Sequence, residues 1–172
     1  MTKSKSEYRY ENVWQKVSEE LVAEILAFWT AESALPAKQD AAERAMQTVM
    51  VMRAKDGTIA AISTAVLKII PRLGQPLYYY RTFCAAAHRG RHTMIDMLGR
   101  AQDALFEYNR GKAEPDAIGV ILELESAMLS GHYDEAHNTA TGYVFIGRSP
   151  RGFNLFVRYF SGFRLKAPQR AS

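Results

Sequence analysis

The segment from Leu77 to Leu98 constrains the fold of this chain more than any other part of the sequence. It begins with an aromatic run typical of a strand, passes through small residues into the basic turn Arg89-Gly90-Arg91, and continues at once with a helical pattern. A strand that leads through such a turn into a helix leaves unpaired backbone N–H groups at the positive end of the helix dipole. This arrangement favours phosphate or pyrophosphate as a ligand.

The order of hydrophobic patterns along the whole chain predicts a mixed α/β fold. A strand, a crossover helix and a further strand indicate a parallel pair, while the Asp56-Gly57 signal indicates a hairpin. Helices are expected at Ser18 to Ser33, Lys38 to Met46, Met94 to Tyr108 and, briefly, around Tyr133 to His137. Strands are expected at Tyr8 to Trp14, Thr48 to Arg53, Ile59 to Ile70, Leu77 to Ala85, Ile118 to Leu124, Gly142 to Gly147 and Phe153 to Phe163. The predicted order is β-α-α-β-β-β-α-β-(α)-β-β, in a mostly antiparallel sheet of about six to seven strands flanked by helices.

Length and composition fit one domain. The 172 residues can build a single sizeable core, so we expect one domain over residues 1–172, with short mobile tails at about 1–7 and 166–172. The net charge of +4 suits an anionic cofactor, an acidic carrier protein or nucleic acid. A single cysteine excludes an internal disulfide framework, and we find neither a membrane-spanning apolar run nor a signal peptide. We therefore expect a cytoplasmic protein.

The strand-turn-helix segment resembles motif A of the GNAT superfamily of acyl-CoA dependent acyltransferases. In that motif a fourth strand leads into an Arg/Gln-x-x-Gly-x-Gly/Ala loop and the third helix. Arg89, Gly90 and Arg91 match the basic opening of the loop, whereas His92 and Met94 stand where the family has small residues, so motif A is degenerate here. The predicted order of elements is also the GNAT order, and it covers nearly the full chain.

The resemblance implies an acyl donor and a place for it. The donor would be acetyl-CoA or another acyl-CoA, with an acyl carrier protein as an open alternative. Its pyrophosphate would lie on the turn formed by Arg89, Gly90, Arg91, His92 and Thr93. Its pantetheine arm would pair with strand-four backbone at Phe83, Cys84 and Ala85.

Acyl transfer to an amine needs a base for the amine and an acid for the leaving thiolate. Glu123 and Glu125 alternate with leucines on one face of a predicted strand, and both are candidate bases, with Glu125 nearer the strand's C-terminal end. Their alternative interpretation is a solvated strand face. The resemblance suggests Tyr133 as the general acid, and Tyr79 and Arg81 are candidates for the acceptor pocket.

Several residues near the turn have a second interpretation. Thr93 and Asp96 form a capping-box pattern, so Thr93 is equally a candidate N-cap. The alternative interpretation of Arg89 and Arg91 is that they are solvated charges in a surface turn. Cys84 lies among small and aromatic residues, where a cysteine is more often a buried hydrophobe than a nucleophile.

Histidines give no metal site in this sequence. His88 and His92 are four residues apart, but they flank a glycine turn rather than sharing a helix face, and no third ligand lies nearby. We therefore expect no metal.

The sequence predicts an acyltransferase that moves an acetyl or longer acyl group to an acceptor amine by direct attack, the acceptor being a small molecule or a protein. A non-catalytic GNAT-like binding domain is the first alternative. The second is a nucleic-acid binding module that uses Arg148, Arg151, Arg158 and Arg164, although we do not expect nucleic acid as the ligand. The oligomeric state stays open, a dimer included.

Overall fold

The computed structural model describes residues 8–34, 41–125 and 134–168, apart from the side chain of Arg91. By its internal contacts the chain divides into two compact units. Unit 1 contains the described residues of 1–64 and 82–104, and unit 2 contains those of 65–81 and 105–172. In the described part of the chain, no helix combines the length and the apolar character needed to span a membrane.

The described residues form eight strands in one mixed sheet. The sheet order is β1-β2-β3-β4-β5-β8-β7-β6. Strands β4 and β5 pair in parallel, whereas β1–β2, β2–β3, β5–β8, β7–β8 and β6–β7 are antiparallel. The predicted mixed, mostly antiparallel sheet with flanking helices is therefore confirmed. The elements are β1 (Arg9–Asn12), α1 (Glu19–Ala31), α2 (Ala41–Met46), β2 (Thr48–Arg53), β3 (Ile59–Ile70), β4 (Gln75–Cys84), α3 (Arg91–Arg110), β5 (Gly119–Leu124), β6 (His137–Asn138), β7 (Tyr143–Arg148) and β8 (Asn154–Tyr159).

The strand count and one element differ from the prediction. Eight strands replace the expected six to seven, because His137 and Asn138 form the short strand β6 where we expected a helix. Asn138 closes the turn into β7, since its side-chain oxygen accepts the Thr141 N–H at 3.0 Å and its carbonyl accepts the Gly142 N–H at 2.7 Å. Pairing with β7 thus gives the backbone of β6 hydrogen bonds, whereas a single isolated helical turn would be unstable. Tyr133, at the start of the expected helix, lies outside the described residues.

Unit 1 is built from α1, α2 and the strands they cover. Ser18 is the N-cap of α1, as predicted, and its hydroxyl accepts the Leu21 N–H at 3.2 Å. The buried apolar face of α1 packs on β2 and β3, which are buried continuously over residues 48–52 and 59–65. The buried core residues are Ile25, Trp29, Ala45, Val51, Ile59 and Ile62.

One charged network lies in unit 1, and we call it the Arg53 cluster: Arg53, Glu11 and Glu24. The Arg53 side chain is only 12% exposed. Its Nε donates to Glu11 at 2.9 Å, its Nη2 donates to Glu24 at 2.9 Å, and its Nη1 donates to the Gly57 carbonyl at 3.0 Å. Each nitrogen of the guanidinium therefore has a partner.

Unit 2 has its own core on β4, β5 and β8, formed by Leu77, Tyr79, Ile118, Ile121 and Val157. The buried Asn109 joins the end of α3 to the start of β5. Its amide nitrogen donates to the Tyr78 hydroxyl at 3.0 Å, and its oxygen accepts the N–H groups of Asp116 and Ala117 at 2.8 and 3.2 Å. These bonds fix the entry of the strand that carries Glu123.

The start of β5 also depends on a close approach of two backbones. A Cβ at Gly119 would lie 2.5 Å from the Arg158 carbonyl oxygen and 2.9 Å from the Tyr159 Cα. Glycine is therefore required there for β5 to pair with β8. Further along unit 2, Lys166, within the expected tail, exchanges two hydrogen bonds of 2.8 and 2.9 Å with the Gln75 side chain.

Candidate functional site

The connection from β4 to α3 lies in unit 1, and we call residues 84–93 the β4–α3 turn. The strand ends at Cys84, and a single 3₁₀ turn, Ala86–His88, precedes Arg89 and Gly90. The helix then begins at Arg91, and the Met94 N–H donates to the Gly90 carbonyl at 3.3 Å. The sequence predicted a strand, a glycine turn and a helix start, and the turn has this form with one additional 3₁₀ turn.

This helix start decides between the two interpretations of Thr93. Because α3 begins at Arg91, Thr93 lies inside its first turn and is not the N-cap. The backbone N–H groups at the start of a helix have no acceptor within the helix. Those of Arg91, His92 and Thr93 are therefore the donors that this turn can offer to an anion, at the positive end of the dipole.

The backbone beside the turn is already partly used. The Ala85 N–H donates to the Ala60 carbonyl of β3 at 2.9 Å, so it is not available to a ligand. The Cys84 carbonyl instead accepts the Nε of Arg89 at 3.2 Å. The Arg89 guanidinium also lies 6.0 Å from the Phe83 ring centroid. Arg89 is thus held against the end of β4, while the residue as a whole stays exposed to solvent.

Neighbouring groups of the turn have roles of their own. Burial raises the pKa of the Cys84 thiol to about 11, so it is protonated at neutral pH, in agreement with a buried hydrophobe. The Ala86 N–H donates to the Glu32 carboxylate at 3.2 Å. The His88 Nδ1 lies 3.1 Å from the Tyr8 hydroxyl. In the described part of the chain, no group of three or more His, Cys, Asp and Glu side chains is placed to hold a metal.

A second candidate region lies in unit 2, and we call it the Glu123 cluster: Lys68, Tyr79, Arg81, Glu123 and Arg151. At its centre is Glu123, whose side chain is 6% exposed. Its Oε2 accepts two hydrogen bonds, one from the Tyr79 hydroxyl and one from the Arg151 Nη2 at 2.8 Å. Its Oε1 is buried and has no hydrogen-bond partner among the described residues.

The environment of Glu123 keeps its carboxylate ionised. Burial acts to raise the pKa of Glu123, but polar contacts from Arg151, Ser149 and Tyr79 outweigh it and lower that pKa to about 2. The pKa of Tyr79 is raised, first by burial and then by its hydrogen bond to Glu123. At neutral pH the pair is therefore a phenol that donates to a carboxylate.

Arg151 joins Glu123 to the second predicted base, Glu125. Its Nη2 contacts both carboxylates, and its guanidinium lies 5.2 Å from the Phe153 ring centroid. The Arg151 side chain is 51% exposed, and the Glu125 side chain is 50% exposed. Arg151 therefore closes the cluster on its solvent side.

Two further cations lie against the ring of Tyr79. The Lys68 ammonium is 4.6 Å from the ring centroid, and the Arg81 guanidinium carbon is 5.0 Å from it. Burial of the ammonium group lowers the pKa of Lys68, and the Arg81 charge lowers it further, although most of the side chain is exposed. Within the described residues, neither cation has a carboxylate at ion-pair distance.

The structure thus brings together three of the predicted site residues, Tyr79, Arg81 and Glu123, and connects the fourth, Glu125, through Arg151. Tyr133 lies outside the described residues. Sequence reasoning missed Lys68 as a site residue, although a lysine within the apolar run at the end of β3 was a signal. Of the four arginines considered for nucleic acid, Arg151 binds glutamates and Arg158 donates to the Thr141 carbonyl at 2.9 Å.

The cluster lies where the parallel ladder of unit 2 ends. The registered pairs of β4 and β5 run from Tyr78 with Val120 to Tyr80 with Leu122. The next pair in register, Arg81 and Glu123, is outside the ladder in the described structure. Cluster residues therefore lie at the C-terminal end of paired parallel strands, a usual location for ligands in α/β sheets.

The fold is similar to that of several solved structures, although no sequence comparison finds a match. No protein-family model matches the sequence, and no curated protein sequence matches it significantly. Among solved structures, the ribosomal-protein-S5-alanine acetyltransferase of Vibrio fischeri is similar with a TM-score of 0.63 at 9% identity, over 92% of this chain and 96% of that one. Spermidine N-acetyltransferase of Vibrio cholerae has a TM-score of 0.58 at 12% identity, over 91% and 95% of the two chains.

A third similar structure is Arabidopsis thaliana Naa50 in complex with the bisubstrate analogue CoA-Ac-MVNAL. Its TM-score is 0.58 at 12% identity, over 90% of this chain and 99% of that one. All three resemble this chain over nearly their full lengths. At such low identities the similarity concerns the arrangement of helices and strands. The chain therefore has the GNAT fold.

Proposed function

We propose that this chain is an acyltransferase that moves an acyl group from an acyl-CoA thioester to an acceptor amine by direct nucleophilic attack. One observation carries the proposal: on a GNAT fold, unit 2 holds a buried, ionised glutamate, Glu123, with one oxygen left unpaired at the end of the β4–β5 ladder. An unpaired, buried carboxylate oxygen is costly for the fold alone, so a functional role is favoured.

The β4–α3 turn of unit 1 suits an acyl-CoA donor. Three backbone N–H groups at the start of α3 and the guanidinium of Arg89 match the charge and the acceptor oxygens of a pyrophosphate. We assign this role to Arg89, Gly90, Arg91, His92 and Thr93. For the pantetheine arm we assign backbone at the end of β4, with Cys84 ahead of Ala85, because the Ala85 N–H is already bonded to Ala60.

The two glutamates of unit 2 have different roles in this proposal. Glu123, with a pKa of about 2, is a weak base, so it binds the amine of the acceptor as a hydrogen-bond acceptor. Glu125 is more exposed and accepts the proton as the amine attacks the thioester. Tyr133 remains the proposed acid for the leaving thiolate, and its position lies outside the described residues.

Similar structures indicate a range of acceptors for the proposal. Those proteins are a ribosomal-protein-S5-alanine acetyltransferase, a spermidine N-acetyltransferase and Naa50, which is held with the bisubstrate analogue CoA-Ac-MVNAL. We therefore propose a small-molecule or protein amine as the acceptor here, with acetyl-CoA or a longer acyl-CoA as the donor.

A thiol-release assay with acyl-CoAs of increasing chain length, run beside mass spectrometry of ligand co-purified with the protein, tests the proposal. We expect turnover with at least one acyl-CoA and an amine, and a fall in kcat of about 100-fold in Glu125→Gln because a general base is removed. Glu114→Gln, an exposed glutamate elsewhere in unit 2, is the matched control and keeps full activity. Absence of both acyl-CoA binding and turnover would overturn the proposal.

A non-catalytic domain is the second candidate, and the sequence of the turn favours it. His92 and Met94 replace small residues at the helix start, and Glu32 places a carboxylate on the neighbouring Ala86 N–H. Acyl-CoA binding without turnover, for any donor and amine, would select this candidate.

A further inference from the structure

We propose that the acceptor bound by unit 2 carries an anionic group, a carboxylate or a phosphate, close to its amine, and that Lys68 and Arg81 bind that group. The inference rests on the proposed acyl transfer and names the class of acceptor. It follows from two unpaired features of the Glu123 cluster: a pair of cations without a counterion, and a buried carboxylate oxygen without a donor.

The cationic pair is held in place by one aromatic ring. Lys68 and Arg81 lie 4.6 and 5.0 Å from the Tyr79 ring centroid. A guanidinium near an aromatic ring keeps N–H donors in its own plane, and an ammonium keeps its three donors. Two like charges near one ring repel each other, and a bound anion removes that repulsion. The guanidinium of an arginine matches carboxylate and phosphate in geometry, and the ammonium of a lysine adds a compact positive charge.

Among the described residues, neither glutamate of the cluster region forms an ion pair with Lys68 or Arg81, although the charge of Glu123 acts to raise the pKa of Lys68. Glu123 and Glu125 both contact Arg151, and Glu123 also accepts from Tyr79. Lys68 and Arg81 therefore have no carboxylate at ion-pair distance among the described residues, and a ligand could supply their counterion. The cations are also exposed, so a ligand can reach them from solvent.

The second feature is the Oε1 atom of Glu123. Its side chain is 6% exposed, and Oε1 accepts no hydrogen bond from the described residues, whereas Oε2 accepts two. The Ser149 hydroxyl is near enough to help lower the pKa of this carboxylate, but it makes no hydrogen bond to Oε1. A buried anionic oxygen is stabilised by an N–H donor. The amine of an acceptor supplies that donor while the anion of the same molecule lies on Lys68 and Arg81.

These two features together select among amines. A polyamine would satisfy Glu123 but would place further positive charge beside Lys68 and Arg81. An amine that carries a nearby carboxylate or phosphate satisfies both. The cluster therefore matches an amino acid, an acidic peptide terminus or a phosphorylated amine in charge.

The test compares amines that differ only in the anionic group. The probes are β-alanine with its uncharged amide, and phosphoethanolamine with ethanolamine, titrated into the full chain by isotope-edited NMR and assayed as acceptors. We expect at least tenfold tighter binding of a charged member than of its neutral partner, and the pair with the larger ratio identifies carboxylate or phosphate as the group.

Variants of Lys68 and Arg81 test whether these two cations cause the preference for charged over neutral amines. Lys68→Gln and Arg81→Gln should reduce the ratio at least fivefold, while Lys68→Arg, which keeps the charge, should retain most of it. Arg164→Gln removes an exposed charge elsewhere in unit 2 and should leave the ratio unchanged. Thermal unfolding of each variant shows whether its fold is intact.

The inference and the proposed function can fail separately. Equal binding of charged and neutral amines, no binding of any probe, or a ratio that survives both Gln variants overturns the inference. Transfer to charged and neutral amines with equal kcat/KM leaves the function in place and removes the inference. Anion-dependent binding without any transfer supports this site and rejects the acyltransferase.

Discussion

In unit 1, Arg53 uses each of its three guanidinium nitrogens on a partner, whereas in unit 2 Glu123 uses one carboxylate oxygen twice and the other not at all. The Arg53 cluster sets one cation against two carboxylates. The Glu123 cluster contains three cations, and only Arg151 among them contacts a carboxylate in the described structure.

A network that only stabilises a fold tends to be fully paired, because every buried unpaired group costs free energy. Natural chains keep unpaired groups mainly where function requires them. This contrast distinguishes a structural network in unit 1 from the proposed binding site in unit 2, and it can be tested by removing one member of each.

The pH dependence of stability should show the largest effect, and Glu123 should cause much of it. The folded-state pKa of Glu123 is about 2 against an ordinary 4.5, so the unfolded chain binds the proton more readily. Its contribution of about 3 kcal/mol is complete above pH 5 and is lost as the pH falls towards 2. Urea unfolding at several pH values, in wild type and Glu123→Gln, measures the difference.

Glu123→Gln should be less stable than wild type at pH 7, and the free energies of unfolding of the two proteins should converge near pH 2. Glu114→Gln, in which an exposed carboxylate is removed, should follow the wild-type curve. Parallel curves for wild type and Glu123→Gln would show that this carboxylate is not stabilised by its neighbours.

Arg53→Met should lower the free energy of unfolding by about 2 kcal/mol, because it leaves Glu11 and Glu24 without their cation. Both glutamates are partly exposed, which limits the loss. Acceptor binding and acyl transfer should keep their wild-type constants when the folded fraction is the same. A changed acceptor affinity in Arg53→Met would break the distinction between the two networks.

Arg89→Ala combined with Arg91→Ala should weaken acyl-CoA binding at least tenfold, about 1.4 kcal/mol, and leave the fold intact. The effect should shrink at high salt because it is largely electrostatic. Lys16→Ala with Lys55→Ala removes the same charge from exposed positions of unit 1 and serves as the control. Equilibrium dialysis with acetyl-CoA measures the affinity of the wild type and of each double variant. Equal affinities of the wild type and the Arg89→Ala, Arg91→Ala variant would show that the turn does not bind the acyl donor.

Local features of the fold could be predicted from the sequence. The Ser18 cap, the hairpin at Asp56-Gly57 and the full extent of β3 depend on residues close together in the chain. Local sequence patterns gave a wrong prediction where pairing with a neighbouring strand determined the backbone structure. At His137 and Asn138, hydrogen bonds to β7 replaced a helix.

The Glu123 cluster could be predicted only in part, for a different reason. Glu123 and Glu125 are neighbours in one strand, so alternation revealed them. Arg151 and Lys68 are far away in sequence, and their contacts depend on the register of β3, β4, β5 and β8, which no local pattern specifies. Which glutamate oxygen is unpaired follows from side-chain geometry alone.

The smallest expected effect concerns where α3 begins, on which the proposed binding of the acyl donor at the β4–α3 turn depends. Ser18→Ala should cost about 1 kcal/mol in the free energy of unfolding, because the hydroxyl of Ser18 accepts the Leu21 N–H. Thr93→Ala should change it by no more than about 0.5 kcal/mol, because Thr93 lies inside the helix and caps nothing. Urea unfolding of both variants compares a true cap with a sequence pattern that only resembles one. A loss at Thr93 as large as that at Ser18 would mean that the helix begins at Thr93, and its first N–H groups would then be bonded to the threonine side chain rather than open to a pyrophosphate.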